Sequence, residues 1–179
     1  MLRAAAMLFC ALAAAGCASS GDQAFQFDQL GPSETEGARV ETPPEPLQCV
    51  PYARARSGVA LFGDAATWWD KAEGHYARRP EPHRGAVIVL GGYAGPGHGH
   101  VGVVSALVSA REIRLDHANW LGDGAIYIDD PVADVSPEND WSEVRVWNPR
   151  TGAWGRKTYL VEGFIGPDRI GGADRVASE

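Results

Sequence analysis

RGAVIVLGGYAGPGHGHVGVVSALVSAREIRLDHANW, residues 84–120, contains three predicted strands in succession. The run from 86 to 90 is continuously apolar and rich in β-branched residues, which predicts a buried strand. A Gly-rich loop follows from 91 to 99, and a Val-rich strand is predicted from 100 to 108. A third strand is predicted from 112 to 120, where apolar and polar side chains alternate. The stretch therefore predicts neighbouring strands with short connections.

Two short helices are predicted on the N-terminal side of these strands. The first runs from Cys49 to Ser57 and stops at Gly58, because glycine commonly ends a helix in the left-handed conformation. The second runs from 65 to 72 and follows Asp64, a residue type that caps helix N-termini.

Two further strands are predicted on the C-terminal side, over 142–147 and 157–165. The turn residues from Asn148 to Gly152 predict a hairpin between them. Helices followed by a run of neighbouring strands favour an α+β fold, in which short N-terminal helices pack on an antiparallel β-sheet.

The N-terminus has the pattern of an export signal. Arg3 precedes an apolar run from 4 to 15, which is too short to span a bilayer and suits a signal peptide over 1–16. The small residues before Cys17 resemble a bacterial lipobox, in which the Cys is acylated, although Ala14 stands where Leu is usual. We therefore expect export to the periplasm or cell envelope and a membrane anchor on Cys17. The alternative is cleavage without a lipid.

The rest of the chain divides into three predicted segments. Residues 17–46 hold the anchor cysteine and a Pro-rich tether, which is predicted to be disordered because few apolar residues are available to bury. Residues 47–167 form the folded domain, and residues 168–179 form a flexible tail. The formal net charge is −7, and the sequence has no basic stripe. Nucleic acid is therefore not an expected partner.

Cysteine usage singles out Cys49. The sequence has three cysteines, of which Cys10 leaves with the signal peptide and Cys17 would carry the lipid. Cys49 is then a lone thiol in an exported protein, either buried and inert or free and reactive. It stands at a predicted helix start, where the helix dipole and free N–H groups favour a thiolate and can bind an oxyanion.

His100 and His117 are the histidines best placed to assist this thiol. His100 begins the strand after the Gly-rich loop, and loops and strand ends commonly carry functional sites. His117 and Asn119 lie two apart on the third strand, so both are expected on one face. Either side chain could orient His100 as a base. The pattern predicts a nucleophile, a base and an orienting residue from separate elements, with no cofactor.

Six segments in order resemble the landmarks of CHAP domains, the cysteine, histidine-dependent amidohydrolases/peptidases. They are QCVPYAR around Cys49, GDAATWW at 63–69, RGAVIVL at 84–90, GHVGVV at 99–104, DHANW at 116–120 and TYLVEGFIGP at 158–167. The resemblance covers about 47–167. It implies a papain-like fold of the NlpC/CHAP type. It also implies hydrolysis of an amide bond in peptidoglycan, as an N-acetylmuramoyl-L-alanine amidase or a stem-peptide endopeptidase.

The same resemblance implies Cys49 as nucleophile and His100 as base. Many members have an acidic residue two positions before the Asn, whereas this chain has His117 there. A Cys-His-His arrangement resembles NlpC-type endopeptidases, so we expect His117 to orient His100, with Asn119 in support. Gln48 precedes the nucleophile, as in many members, and with Cys49 is expected to shape the oxyanion site. The alternative for Gln48 is an ordinary polar residue before a helix.

Two other functions fit parts of the sequence. His98 and His100 form a His-x-His pair, which LytM-type zinc endopeptidases also contain, and His117 would give three zinc ligands. The upstream His-x-x-x-Asp of those enzymes is absent from the sequence. The second alternative is a catalytically silent wall-binding or scaffolding lipoprotein, because a fold does not guarantee activity. We predict the cysteine hydrolase, with peptidoglycan as substrate and no metal.

Overall fold

The computed structural model describes residues 37–169. The signal peptide, Cys17, most of the tether and most of the tail lie outside these residues. A 3₁₀ turn over Ala65–Thr67 leads directly into the second helix. The elements in chain order are β1 Arg39–Glu41, α1 Cys49–Ser57, α2 Trp68–Ala72, β2 Tyr76–Arg79, β3 Val87–Gly91, β4 His100–Ser109, β5 Glu112–Ala118, β6 Ile126–Asp134, β7 Glu143–Asn148, β8 Ala153–Trp154 and β9 Tyr159–Arg169.

Six of these strands form a closed antiparallel β-barrel, in the order β6-β5-β4-β3-β9-β7. The barrel closes because β7 pairs with strands on both sides. Val144 of β7 lies opposite Tyr159 of β9 and also opposite Asp134 of β6. Outside the barrel, β1 pairs with β6, β2 with β9, and β8 with β7.

The predicted α+β, papain-like fold with helices packed on a sheet is wrong. The described part of the chain is mostly β, and its two helices are short, with nine residues in α1 and five in α2. Neither is long and apolar enough to cross a membrane. The error arises at β6, where Asp129, Asp130 and Pro131 are residue types that favour turns. Without β6, the pairing that closes the barrel cannot be inferred.

Three predicted boundaries also differ from the structure. Part of the segment predicted as a disordered tether is a strand, since β1 pairs with β6 through Arg39 opposite Ile128. The third predicted strand ends at Ala118, and Asn119 has a φ of 59°. The turn over 148–152 joins β7 to β8, whereas β9 pairs with β7 separately.

β3 separates two hydrophobic cores. Ile88 and Leu90 belong to the core inside the barrel, whereas Val87 and Val89 belong to the core beneath the helices. Trp68 of α2 is fully buried in that second core. Each large apolar side chain buried in this way contributes about 1.5–3 kcal/mol. Burial on both faces explains why the sequence from 86 to 90 is apolar without interruption.

Gly102 gives the neighbouring strand room beside His100. A Cβ atom at Gly102 would lie 2.7 Å from a side-chain carbon of Leu115 and 3.0 Å from Cβ of His117. Because glycine has no Cβ, β5 can pack closely against β4 at this point. The His117 side chain can therefore lie next to that of His100.

Candidate active site

Cys49 is the first residue of α1. Gln48 precedes it in an extended conformation, as the N-cap residue. The helix ends at Gly58, which has a φ of 77° and donates its N–H to the carbonyl of Arg54, so the predicted stop is confirmed. The apolar side of α1 packs beside β4, where Cys49 and Ala53 contact the core beneath the helices.

A cleft of about 260 Å³ brings Cys49 and His100 together. Cys49 is partly exposed, whereas the side chain of His100 is almost fully buried. The walls come from the start of α1, the segment before α2, the Gly-rich loop and the residue after β5. The lining residues are Gln48, Cys49, Val50, Gly63, Asp64, Ala65, Tyr93, Ala94, His98, Gly99, His100 and Asn119.

Behind the cleft, His100 begins a chain of buried hydrogen bonds. Its Nε2 lies 2.9 Å from Nδ1 of His117, whose Nε2 lies 3.1 Å from Oδ2 of Asp130. All three residues are at most 1% exposed. His117 therefore contacts His100 directly, as the sequence predicts for an orienting residue, and a carboxylate stands behind it.

Burial sets the protonation of the thiol and the imidazole. It raises the pKa of Cys49, while hydrogen bonds from the backbone of Val101 and Val50 act in the opposite direction. Burial also lowers the pKa of His100 well below its ordinary value, and the neighbouring His117 lowers it further. The expected effect of the helix start on the thiol is therefore outweighed by burial. A neutral thiol and a neutral imidazole therefore line the same cleft in the resting site.

Asn119 interacts with Gln48 rather than with His100. Its Nδ2 donates to Oε1 of Gln48 at 2.8 Å, and its Oδ1 accepts the backbone N–H of Gly124 at 2.8 Å. The expectation that His117 and Asn119 share a strand face is wrong, because β5 ends at Ala118 and the chain turns at Asn119. With its carbonyl oxygen occupied, the Gln48 amide keeps its NH₂ group for another acceptor.

Two aromatic rings pack against His100. The ring centroids of Tyr93 and Trp120 lie 4.9 Å and 4.8 Å from that of His100. The Tyr93 hydroxyl donates to the backbone carbonyl of Trp120, and Lys157 donates to the carbonyls of Gly92 and Tyr93. These bonds fix the Gly-rich loop over the imidazole.

Asp130 was not among the residues predicted for the site. It lies on β6, a strand that the sequence does not predict because Asp129, Asp130 and Pro131 are residue types that favour turns. One sequence signal could have indicated this strand. Ile126, Tyr127 and Ile128 come before the acidic residues and Val132 comes after them, and β-branched and aromatic residues favour a strand. A carboxylate within such a strand is unusual unless it is paired.

Residues 40–119 match the family model of the CHAP domain, the family that the sequence motifs resemble. The family is generally hydrolytic, and the domain suggests a peptidoglycan amidase or peptidase role. No curated protein matches the chain. The matched segment contains Cys49, His100 and His117 but ends before β6, so Asp130 lies beyond it.

The structure does not group the three histidines of the zinc alternative as ligands. Within residues 37–169, no three His, Cys, Asp or Glu side chains are placed to hold one metal ion. His98 lines the cleft, whereas His117 lies behind His100 and bonds to it.

Proposed function

We propose that this protein is a cysteine-dependent peptidoglycan hydrolase that cleaves an amide bond through an acyl-enzyme on Cys49. One observation carries the proposal: Cys49 and His100 line the same cleft, and His100 is held from behind by His117. A thiol, a base and a residue that orients the base are the parts that nucleophilic catalysis by cysteine needs.

The reaction begins when His100 takes the proton of the Cys49 thiol. The thiolate attacks the amide carbonyl, a C–S bond forms, and the carbonyl π electrons move to oxygen. The His100 imidazolium then protonates the leaving amine as the C–N bond breaks. Water that gives its proton to His100 attacks the thioester, which releases a carboxylic acid and restores the thiol.

The starting protonation state suits a general-base mechanism. Because burial raises the pKa of Cys49 and lowers that of His100, the proton remains on sulfur until substrate fills the cleft. Proton transfer and attack are then coupled in the same step. A neutral pair also limits reaction of the thiol with other electrophiles, since the thiolate is the reactive form.

Gln48 and the backbone N–H of Cys49 are the proposed donors to the oxyanion. Asn119 occupies the carbonyl oxygen of Gln48, so the NH₂ group of Gln48 is the end left for substrate. Gln48 and Asn119 both line the cleft beside Cys49. Donors that are fixed before the reaction stabilise developing charge without reorganising. Asn119 is therefore proposed to position Gln48 rather than to orient His100.

The test compares wild type, a Cys49→Ala variant and wild type with EDTA on purified sacculi. Released fragments are analysed by mass spectrometry, which shows whether the muramoyl-alanine bond or a stem-peptide bond is cut. We expect release by wild type with or without EDTA and none by Cys49→Ala. Loss of release with EDTA together with an active Cys49→Ala variant would favour the zinc alternative. Binding to sacculi with no release by wild type would favour the silent wall-binding alternative.

A membrane anchor on Cys17 is proposed as well, on the lipobox-like residues before it. Acylation would hold the hydrolase at the cell envelope, where peptidoglycan lies, and several acyl chains anchor a protein stably. Labelled palmitate should be incorporated by wild type and not by Cys17→Ser. A soluble mature protein that begins at another residue would contradict this proposal.

A further inference from the structure

A bulge in β6 turns Asp130 toward the histidine pair. Across β5 and β6, Leu115 lies opposite Asp130 and His117 lies opposite Tyr127, so β6 has one residue more than β5 in this interval. The irregularity coincides with Asp129, whose φ is 49°. In a regular strand, residues 127 and 130 would point to opposite faces. The extra residue lets the Tyr127 ring and the Asp130 carboxylate both contact His117.

The bulge itself is held by hydrogen bonds to side chains of the barrel strands β4 and β5. The backbone N–H of Asp129 donates to Oδ1 of Asp116 at 3.0 Å, and the hydroxyl of Ser105 donates to Oδ1 of Asp129 at 2.7 Å. A left-handed, non-glycine residue costs free energy and persists where its surroundings fix it. The position of Asp130 is therefore specified by partners on β4 and β5.

The protons of His100, His117 and Asp130 can be assigned so that both hydrogen bonds of the chain have one donor and one acceptor. An ionised carboxylate only accepts hydrogen bonds, so Nε2 of His117 must carry the proton that faces Asp130. The Nδ1 of neutral His117 is then an acceptor, and Nε2 of His100 must donate to it. A neutral His100 has one N–H, so its Nδ1 holds the free lone pair.

We propose that Asp130 is a positioning residue that fixes the tautomer of His100 through His117 and thereby assigns Nδ1 of His100 as the catalytic base. The role in catalysis rests on the proposed hydrolase function, whereas the tautomer assignment does not. Asp130 acts without touching Cys49 or the substrate. Its carboxylate supplies the negative charge that the His117 imidazole lacks, and that charge stabilises the His100 imidazolium formed during the reaction.

The state of the second carboxylate oxygen supports a functional role. Oδ1 of Asp130 is buried and has no hydrogen-bond partner among the described residues. Burial raises the pKa of Asp130, while the hydrogen bond from His117 and the charges of His117 and Arg114 lower it. A half-satisfied carboxylate in a barrel core is costly, and an apolar side chain would fill the same space with less cost.

The direct test is NMR of the protein labelled with ¹⁵N at histidine. Long-range ¹H–¹⁵N correlation spectra identify which ring nitrogen carries the proton, and they require no substrate. In wild type at neutral pH, we expect His100 and His117 to carry their protons on Nε2. In Asp130→Asn, the amide can present either oxygen or NH₂ to His117, so both histidines should show mixed tautomers.

Steady-state kinetics on one defined muropeptide then connect the tautomer to catalysis. We expect Asp130→Asn to lower kcat by roughly 10²–10⁴-fold, a range bounded by the loss when a triad carboxylate becomes an amide. KM should stay within about threefold, since substrate does not contact Asp130. Asp134→Asn is the matched control, because Asp134 is equally buried on the same strand but bonds to Ser136 and Trp141.

Each outcome bears on the proposal. A wild-type His100 that carries its proton on Nδ1 overturns it, even if Asp130→Asn fails to fold. Unchanged tautomers in Asp130→Asn, or a kcat equal to that of Asp134→Asn, overturn it as well. A wild type with the expected tautomers but no hydrolytic activity would contradict the proposed function and leave the tautomer assignment standing.

Discussion

Cys49 and His100 show how burial changes the chemistry that a sequence position indicates. The helix start at Cys49 favours a thiolate, but burial raises its pKa, and burial together with His117 lowers the pKa of His100. The grouping of Cys49 and His100 with His117 could be predicted from sequence, because each residue stands at an element boundary or in a motif that resembles the family. The balance between desolvation and local hydrogen bonds could not be predicted from sequence, because it depends on which residues pack over the thiol and the imidazole.

Asn119→Gly separates the two roles that sequence left open for this residue. Glycine accepts the φ of 59° found at this position, so the substitution removes the amide without straining the backbone. We expect kcat to fall by roughly 10–10²-fold, less than the 10²–10³-fold typical of losing an oxyanion donor outright. Alkylation of Cys49 by iodoacetamide should keep its rate and pH profile, since alkylation forms no oxyanion.

His117→Ala provides the contrast in the same assays. It should lower kcat by roughly 10–10⁴-fold, and it should also change the pH profile of alkylation, because it removes the partner of His100. If Asn119→Gly alters the alkylation profile and His117→Ala does not, then the two roles are reversed.

Strand β6 marks the limit of what the local pattern predicts. Five barrel strands, β3, β4, β5, β7 and β9, lie where apolar runs or alternation predict them, within a few residues. β6 was missed because its bulge needs a short polar residue at Asp129 and its hydrogen-bond chain needs a carboxylate at Asp130. The same two residues that build the site therefore remove the sequence signal for the strand.

Helix α1 is joined to β5 by a hydrogen-bonded ion pair between Arg56 and Asp116. Both Nε and Nη2 of Arg56 lie 2.8 Å from Oδ2 of Asp116, which is 1% exposed. Arg56→Ala should lower the free energy of unfolding by about 1–3 kcal/mol, because it leaves a buried carboxylate with fewer partners. The measurement is urea unfolding followed by circular dichroism.

Arg54→Ala is the matched control on the same helix. Arg54 stacks on the ring of Phe62, an exposed contact that is worth about 0.5–1 kcal/mol. Equal losses of stability for the two variants would show that the Arg56–Asp116 pair does not hold α1 against the barrel.

The pairing of the barrel strands determines where the site lies. Val87 of β3 pairs with Ile165 of β9, a residue far away in sequence, and no local pattern reports this pairing. β5 pairs with β4 on one side and with β6 on the other, and each of these three strands supplies one member of the buried hydrogen-bond chain. The helix with Cys49 packs against β4 and β5. The motifs that resemble the family identify His100 and His117, but they indicate neither Asp130 nor the closed sheet to which all three residues belong.

The buried His100 should make the folded protein sensitive to mild acid. Its pKa in the native state lies well below the ordinary 6.5, so the unfolded chain binds a proton that the native state does not. The free energy of unfolding should therefore decrease as the pH falls below about 6.5, by at most about 1.4 kcal/mol per pH unit from this group. Burial of Asp130 acts in the opposite sense, because its raised pKa favours proton uptake by the native state.

Urea unfolding at pH 8, 7, 6 and 5 checks this expectation. His100→Gln should lose less stability between pH 7 and pH 5 than wild type, whereas replacement of the exposed His75 by Gln should follow wild type. Parallel curves for wild type and His100→Gln would show that His100 is not the group responsible.

The proposed mechanism requires a covalent acyl-enzyme on Cys49. Turnover of one defined muropeptide is quenched with acid within the first cycles, and the protein is digested and mapped by mass spectrometry. We expect a hydroxylamine-labile thioester on the Cys49 peptide, with the mass of the acyl part of the substrate, and no adduct or turnover in Cys49→Ala. A Cys49 peptide without an adduct, together with a Cys49→Ala variant that hydrolyses the muropeptide at the wild-type rate, would contradict it.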